Sequence, residues 1–103
     1  MVSEKKVFTI DELQMLLNPI FQGYGVRRAV LFGSYSKGTA TAKSDIDLLV
    51  DSGLKGLRFV GLMEDIKDSL QGKEVDVFDV SHVIQDSKVE LEIERTGVEI
   101  YAK

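Results

Sequence analysis

Three aspartates and one glycine-serine pair carry the chemistry that can be read from this sequence. Asp45 and Asp47 stand two apart in Ser44-Asp45-Ile46-Asp47-Leu48-Leu49-Val50. On a strand, alternate residues share a face with Cα atoms roughly 6.5–7 Å apart. The two carboxylates then point the same way, while Ile46 and Leu48 point into a core. Ionised carboxylates side by side repel, and a divalent cation relieves that repulsion. Mg²⁺ is hard, takes oxygen ligands, and is commonly held by one or two carboxylates together with substrate phosphates. Two such ions about 3.5–4 Å apart can clamp the attacking and leaving oxygens of an in-line displacement. Asp76 is the candidate third carboxylate. It lies between Val75 and Val77 in the alternating run EVDVFDV, whose valines face the core and leave the aspartate outward.

Gly33-Ser34 follows the apolar run Arg28-Ala29-Val30-Leu31-Phe32. A glycine there lets the backbone approach a ligand closely. Backbone N–H groups at a strand-to-helix turn cradle anions, and the Ser34 hydroxyl can donate to a phosphate oxygen. One edge of a sheet would thus offer phosphate donors and metal-binding carboxylates together, a combination suited to a nucleoside triphosphate carrying Mg²⁺. Taken singly, each feature has an ordinary use. Gly-Ser is a turn, Asp-x-Asp a solvated edge, and Asp76 an exposed strand position. Asp51 and Asp79 are strand-end residues outside the set. Lys37 and Lys43 read as surface residues, His82 as a helix-start surface residue, Ser81 as a cap, and Phe32 and Tyr101 as packing. The joint pattern carries the reading.

The elements that must position these residues are legible in outline. Thr9-Ile10-Asp11-Glu12 is a capping box, followed by Leu13, Leu16, Leu17 and Ile20 at helical spacing. Pro19 either kinks this helix or starts a second, and Gly23 and Gly25 end it. Residues 28–32 predict a buried strand. Residues 33–44 predict a loop with room for one helical turn, and 45–51 a strand. Leu57, Val60, Met63, Ile66 and Leu70 mark one face of a helix stopped near Gly72. Residues 74–80 predict a strand. A helix capped by Ser81 and ending at Gly97 follows, then a strand over 98–101. The fold class is α/β (α+β): a small mixed sheet with flanking helices.

Composition bounds the rest. The chain has 103 residues, 13 Lys and Arg against 17 Asp and Glu, and a formal charge of −4. With 44% hydrophobic and 29% charged residues it has globular composition, and its length predicts a single domain over 1–103. Cys is 0 and His is 1, which excludes disulfides, thiol nucleophiles and two-histidine mechanisms. The acidic balance disfavours direct nucleic-acid binding and allows a cation or a basic protein partner. No apolar run reaches membrane-spanning length, and the segment MVSEKKVFTI lacks the apolar core of a secretory leader, so a cytoplasmic location is expected.

The run Val30-Leu31-Phe32-Gly33-Ser34-Tyr35-Ser36-Lys37-Gly38-Thr39-Ala40, with Ser44 to Val50 after it and Val75-Asp76-Val77 further on, resembles the signature of the minimal nucleotidyltransferases. These are small members of the DNA polymerase β-like superfamily. The ending Glu94-Arg95-Thr96-Gly97-Val98-Glu99-Ile100-Tyr101 is similar to the family's as well, so the likeness covers nearly the whole chain. It implies the nucleotidyltransferase fold and transfer of AMP from ATP to a hydroxyl. Mg²⁺, as two ions, would be held by Asp45, Asp47 and Asp76, and Asp76 would also help activate the acceptor. The nucleotide would meet Gly33, Ser34, Lys37 and Ser44. Many members carry Arg in this loop; Tyr35 and Lys37 stand there here, and Lys37 keeps the charge without the bidentate fork. The resemblance further implies a partner, a toxin with a HEPN ribonuclease domain, neutralised by AMPylation of a tyrosine. So short a catalytic core has little surface for an acceptor pocket, which a partner protein could supply. The alternatives are a binding module that blocks its partner without chemistry, and a transferase acting on a small hydroxylated molecule.

Overall fold

The computed structural model describes residues 7–103. The first six residues of the segment read for a leader lie outside that range. Thr9 caps the first helix, α1 (Ile10–Tyr24): its hydroxyl accepts the Glu12 N–H, and the Glu12 carboxylate accepts the Thr9 N–H in return. Pro19 sits inside α1 without breaking it. The carbonyl it frees belongs to Met15, which is exposed, so water can satisfy it. Gly25, at φ 72°, ends the helix in a left-handed turn that Gly23 does not share.

Four strands follow in the chain: β1 (Arg28–Phe32), β2 (Ile46–Asp51), β3 (Val75–Asp79) and β4 (Val98–Ala102). They form one mixed sheet in the order β3-β2-β1-β4. β1 runs antiparallel to both β2 and β4, while β2 and β3 are parallel. A parallel pair needs a crossover, and helix α3 (Leu57–Ser69) supplies it. Between β1 and β2 the glycine-serine segment makes one helical turn, α2 (Ser34–Lys37).

One face of the sheet holds the main core. Ala29, Leu31, Ile46, Leu48, Val50 and Ile100 pack against Leu13, Leu17 and Phe21 of α1 and Leu62 and Ile66 of α3. The inward side of α3 differs in part from the one its sequence suggests. Leu62, Ile66 and the following Leu70 are buried, whereas Leu57, Val60 and Met63 are exposed. The helix carries two apolar stripes, and the approach of α1 selects one. Gly61 is small enough for Tyr24 to close in, its hydroxyl 3.1 Å from where a Cβ would stand.

The opposite face carries a smaller cluster of Val30, Phe32 and Leu49, covered by Phe78, Val83, Val89 and Ile93. The last two belong to α4 (Lys88–Thr96), which is capped by Ser87 through the Glu90 N–H. Ser81 is therefore not the cap of this helix. It lies in a 3-10 turn, Val80–His82, whose own cap is Asp79. The Asp79 carboxylate accepts four hydrogen bonds, from the backbone and hydroxyl of Ser52 and of Ser81, and so stops the chain from entering a longer helix there. Among the described residues no helix is long and apolar enough to cross a membrane.

Candidate active site

Register on the sheet brings the site together. Asp47 is the Cα partner of Phe32 on β1 and of Asp76 on β3, so the two aspartates stand side by side on neighbouring strands. Ile46 and Leu48 are fully buried on the main-core side, which sends Asp47 to the face that α4 partly covers. Asp76 is exposed beside it, and Val75 and Val77 pack against the main core as their alternation predicts. Asp45 lies one residue before β2, exposed, near enough for its charge to act on Asp47.

Asp47 is held well above the usual carboxylate range, at about 6. Burial is the first cause; the charges of Asp76, Asp45 and Glu92 follow, together with a hydrogen bond to the Asp76 carboxyl. The site thus concentrates negative charge around Asp47. Among the described residues, no three carboxylate or imidazole groups already converge as a formed metal cage. Mg²⁺ does not need one, since it is usually bound by one or two carboxylates and completed by substrate phosphates and water. The Asp47 and Asp76 pair fits that donor set, with Asp45 at its edge.

Gly33 supplies the other half of the site. It is buried, at φ 79° and ψ −150°, a conformation that favours glycine. A Cβ on it would stand 2.5 Å from Asp47 Oδ2, so only a bare Cα lets the carboxylate lie against the turn. Its carbonyl accepts from the Ser36 hydroxyl at 2.9 Å and the Lys37 N–H at 3.2 Å, closing α2 with Ser34 as its first residue. The structure therefore brings together Gly33, Ser34, Asp47 and Asp76. Lys37 leans elsewhere: its Nζ is 3.5 Å from Glu92 Oε2. The Ser44 hydroxyl accepts the Thr41 N–H at 2.9 Å and fixes the turn that leads into Asp45.

Sequence reasoning missed α4 as a wall of the site. A cleft of about 270 Å³ beside Asp47 is lined by Phe32, Phe78, Lys88, Val89 and Glu92. Phe32 and Phe78 form its floor, their rings 5.9 Å apart. Glu92 lies outside every motif, and Thr96 entered only as part of the C-terminal likeness, with no role at the site. The local signal that joins them is their spacing of four, which places them on the same side of a helix.

A mixed sheet that sets paired carboxylates beside a glycine turn is the architecture of a nucleotidyl-transferring enzyme. Residues 16–103 match the family described as polymerase beta, nucleotidyltransferase, and the chain belongs to that family. It is 41% identical over 70 residues to a Methanocaldococcus jannaschii protein named as a candidate protein adenylyltransferase, covering 66% of this chain and 74% of that one. It is 34% identical over 77 residues to the protein adenylyltransferase MntA of Thermococcus cleftensis, covering 69% of this chain and 77% of that one. The fold matches a chain in the complex of tri-AMPylated Shewanella oneidensis HEPN toxin with MNT antitoxin. There the TM-score is 0.66 at 19% identity, over 92% of this chain and 74% of that one.

Proposed function

We propose that this nucleotidyltransferase transfers AMP from ATP to a tyrosine hydroxyl of a HEPN-domain toxin and so acts as its antitoxin. The observation that carries the reading is the pairing of Asp47 with Asp76 across β2 and β3, directly against the Gly33 turn. The names of the two archaeal relatives support the adenylyl group, and the AMPylated complex supports the partner. Asp45, Asp47 and Asp76 are the residues that would hold Mg²⁺, which when bound neutralises phosphate charge and favours the in-line approach of the acceptor oxygen. Gly33 and Ser34 would seat the triphosphate, Lys37 would reach it once released from Glu92, and Ser44 keeps Asp45 in place. Asp76, exposed beside Asp47, would take the acceptor proton. The acceptor oxygen attacks the α-phosphorus, the bond to the bridging oxygen breaks, and pyrophosphate leaves with that electron pair.

The test is incubation of the chain with α-labelled ATP, Mg²⁺ and a HEPN-domain protein encoded beside it. Label on the partner, lost in the Asp47→Asn and Asp76→Asn variants, is the expected result. Absence of label with the wild-type chain overturns the reading. Protection by the unreactive variants would instead establish a stoichiometric binding module. Label on a small hydroxylated acceptor alone would establish a small-molecule transferase.

A further inference from the structure

The last helix reaches the Gly33 peptide through the hydroxyl of Thr96. The Gly33 N–H donates to Thr96 Oγ1 at 3.1 Å, and Thr96 Oγ1 donates in turn to the Glu92 carbonyl at 2.8 Å. A threonine in a helix often returns its hydroxyl hydrogen to the carbonyl four residues back. Here that bond has a consequence: it spends the hydrogen on the helix and leaves a lone pair aimed at Gly33. Gly33 is buried, so its N–H needs this acceptor. The same glycine stands against Asp47 Oδ2 on one side and opens α2, with Ser34, on the other.

The position of Thr96 is set independently of its hydroxyl. Gly97 follows it with the N–H bonded to the Ile93 carbonyl at 2.7 Å, and a Cβ there would stand 2.9 Å from Val30 Cγ1. Ile93 and Val89 pack on the cluster of Val30, Phe32 and Leu49. Helix α4 is thus anchored to β1 by apolar packing and a tight end, and the hydroxyl is free to serve the turn.

We propose that Thr96 is a positioning residue for nucleotide binding: its hydroxyl orients the Gly33 peptide and thereby the approach of the triphosphate turn to Asp47. This rests on reading the site as a nucleotide site. The side chain must accept one hydrogen bond while donating another, which Ser can do and Val, of the same shape as Thr, cannot.

The experiment compares wild type, Thr96→Val and Thr96→Ser by calorimetric titration with ATP and Mg²⁺, and by amide hydrogen exchange at Gly33. Thr96→Val is expected to weaken ATP at least fivefold and to speed exchange at Gly33 at least tenfold. Thr96→Ser is expected to stay within twofold of wild type in both. ATP binding by Thr96→Val that equals wild type, or a Ser variant as impaired as the Val variant, overturns the proposal. A wild-type chain that binds no ATP defeats the parent reading and the nucleotide role with it, whereas normal wild-type binding with an unmoved Val variant defeats the role of Thr96 alone.

Discussion

Asp47 Oδ2 occupies space that a side chain on residue 33 would need, 2.5 Å from the ideal Cβ position. The relationship couples two requirements at one point: a backbone turn at positive φ and a half-buried carboxylate leaning on it. Gly33→Ala violates both. An alanine at that φ costs about 1–2 kcal/mol in backbone strain, and the carboxylate must swing away as well. The variant should lose about 1–3 kcal/mol of stability in urea denaturation. Its AMP transfer should fall by about 100-fold, the usual consequence of displacing a reacting group by an ångström. Transfer within a factor of three of wild type would show that the close approach is not required.

The raised position of Asp47 makes a stability prediction of definite sign. Its carboxyl titrates at about 6 in the folded chain against an ordinary value of 3.8. The folded state therefore holds the proton more tightly, and stability falls as pH rises from about 4 through 6. Asp47→Asn removes that penalty. At pH 7.5 and without divalent cations the variant should be more stable than wild type by about 1 kcal/mol, a figure reduced for the partial exposure of the group. The gap should close toward pH 4. Its transfer activity should fall by at least about 100-fold, as expected for loss of one preorganised charged group. Urea denaturation at the two pH values and label transfer give the two readouts.

Glu92 acts on the same carboxyl from α4, raising it through its charge, while also holding Lys37 at 3.5 Å. Glu92→Gln should lower the Asp47 titration and move the acidic limb of the pH-rate profile to lower pH. It should also free Lys37, and the Km for ATP should fall or stay level. The pair itself is exposed, so global stability should change by less than about 1 kcal/mol. Lys37→Arg, which restores a bidentate fork, should tighten ATP severalfold. A profile that does not move in Glu92→Gln would show that its charge does not reach Asp47.

The sequence made some of this legible and hid the rest for physical reasons. The capping box at Thr9, the buried run before Gly33, the inward Ile46 and Leu48 and the outward Asp76 all follow from local spacing, and each stands where that spacing puts it. Position 33 signalled a special backbone because glycine after a strand is otherwise a weak choice. The inward stripe of α3 was legible only in part: Ile66 and Leu70 are buried as their spacing suggests, whereas Leu57, Val60 and Met63 of the same predicted face are exposed and Leu62 is buried instead. The packing of α1 and the sheet, with Tyr24 close over Gly61, favours the buried side. Nor was the cap of the last helix: Ser81 and Ser87 are equivalent by type, and the four hydrogen bonds to Asp79 are what divert the first. The alignment of Asp47 with Asp76 is a property of parallel pairing across a crossover, which no local pattern encodes. Glu92 and Thr96 reach the site only because α4 lies across the second face of the sheet.

Asp79 yields the last prediction, since it stabilises the frame without touching the site. Burial would raise its carboxyl, yet the hydrogen bonds from Ser52 and Ser81 outweigh that and hold it down at about 2. The folded state thus prefers the ionised form, and its contribution is present above the ordinary value of 3.8 and lost as pH falls toward 2. Asp79→Asn keeps the shape but turns an amide donor toward groups that already donate. With one acceptor oxygen gone, the variant should lose about 2 kcal/mol or more at pH 7. The strand end, the β2–α3 connection and the 3-10 turn meet at this carboxylate, so amide exchange should quicken at Ser52 and Ser81 before it does in β1. The difference between wild type and variant should shrink between pH 4 and pH 2 as the wild-type carboxylate takes its proton. A variant as stable as wild type at pH 7 would show that water replaces the serine bonds without cost.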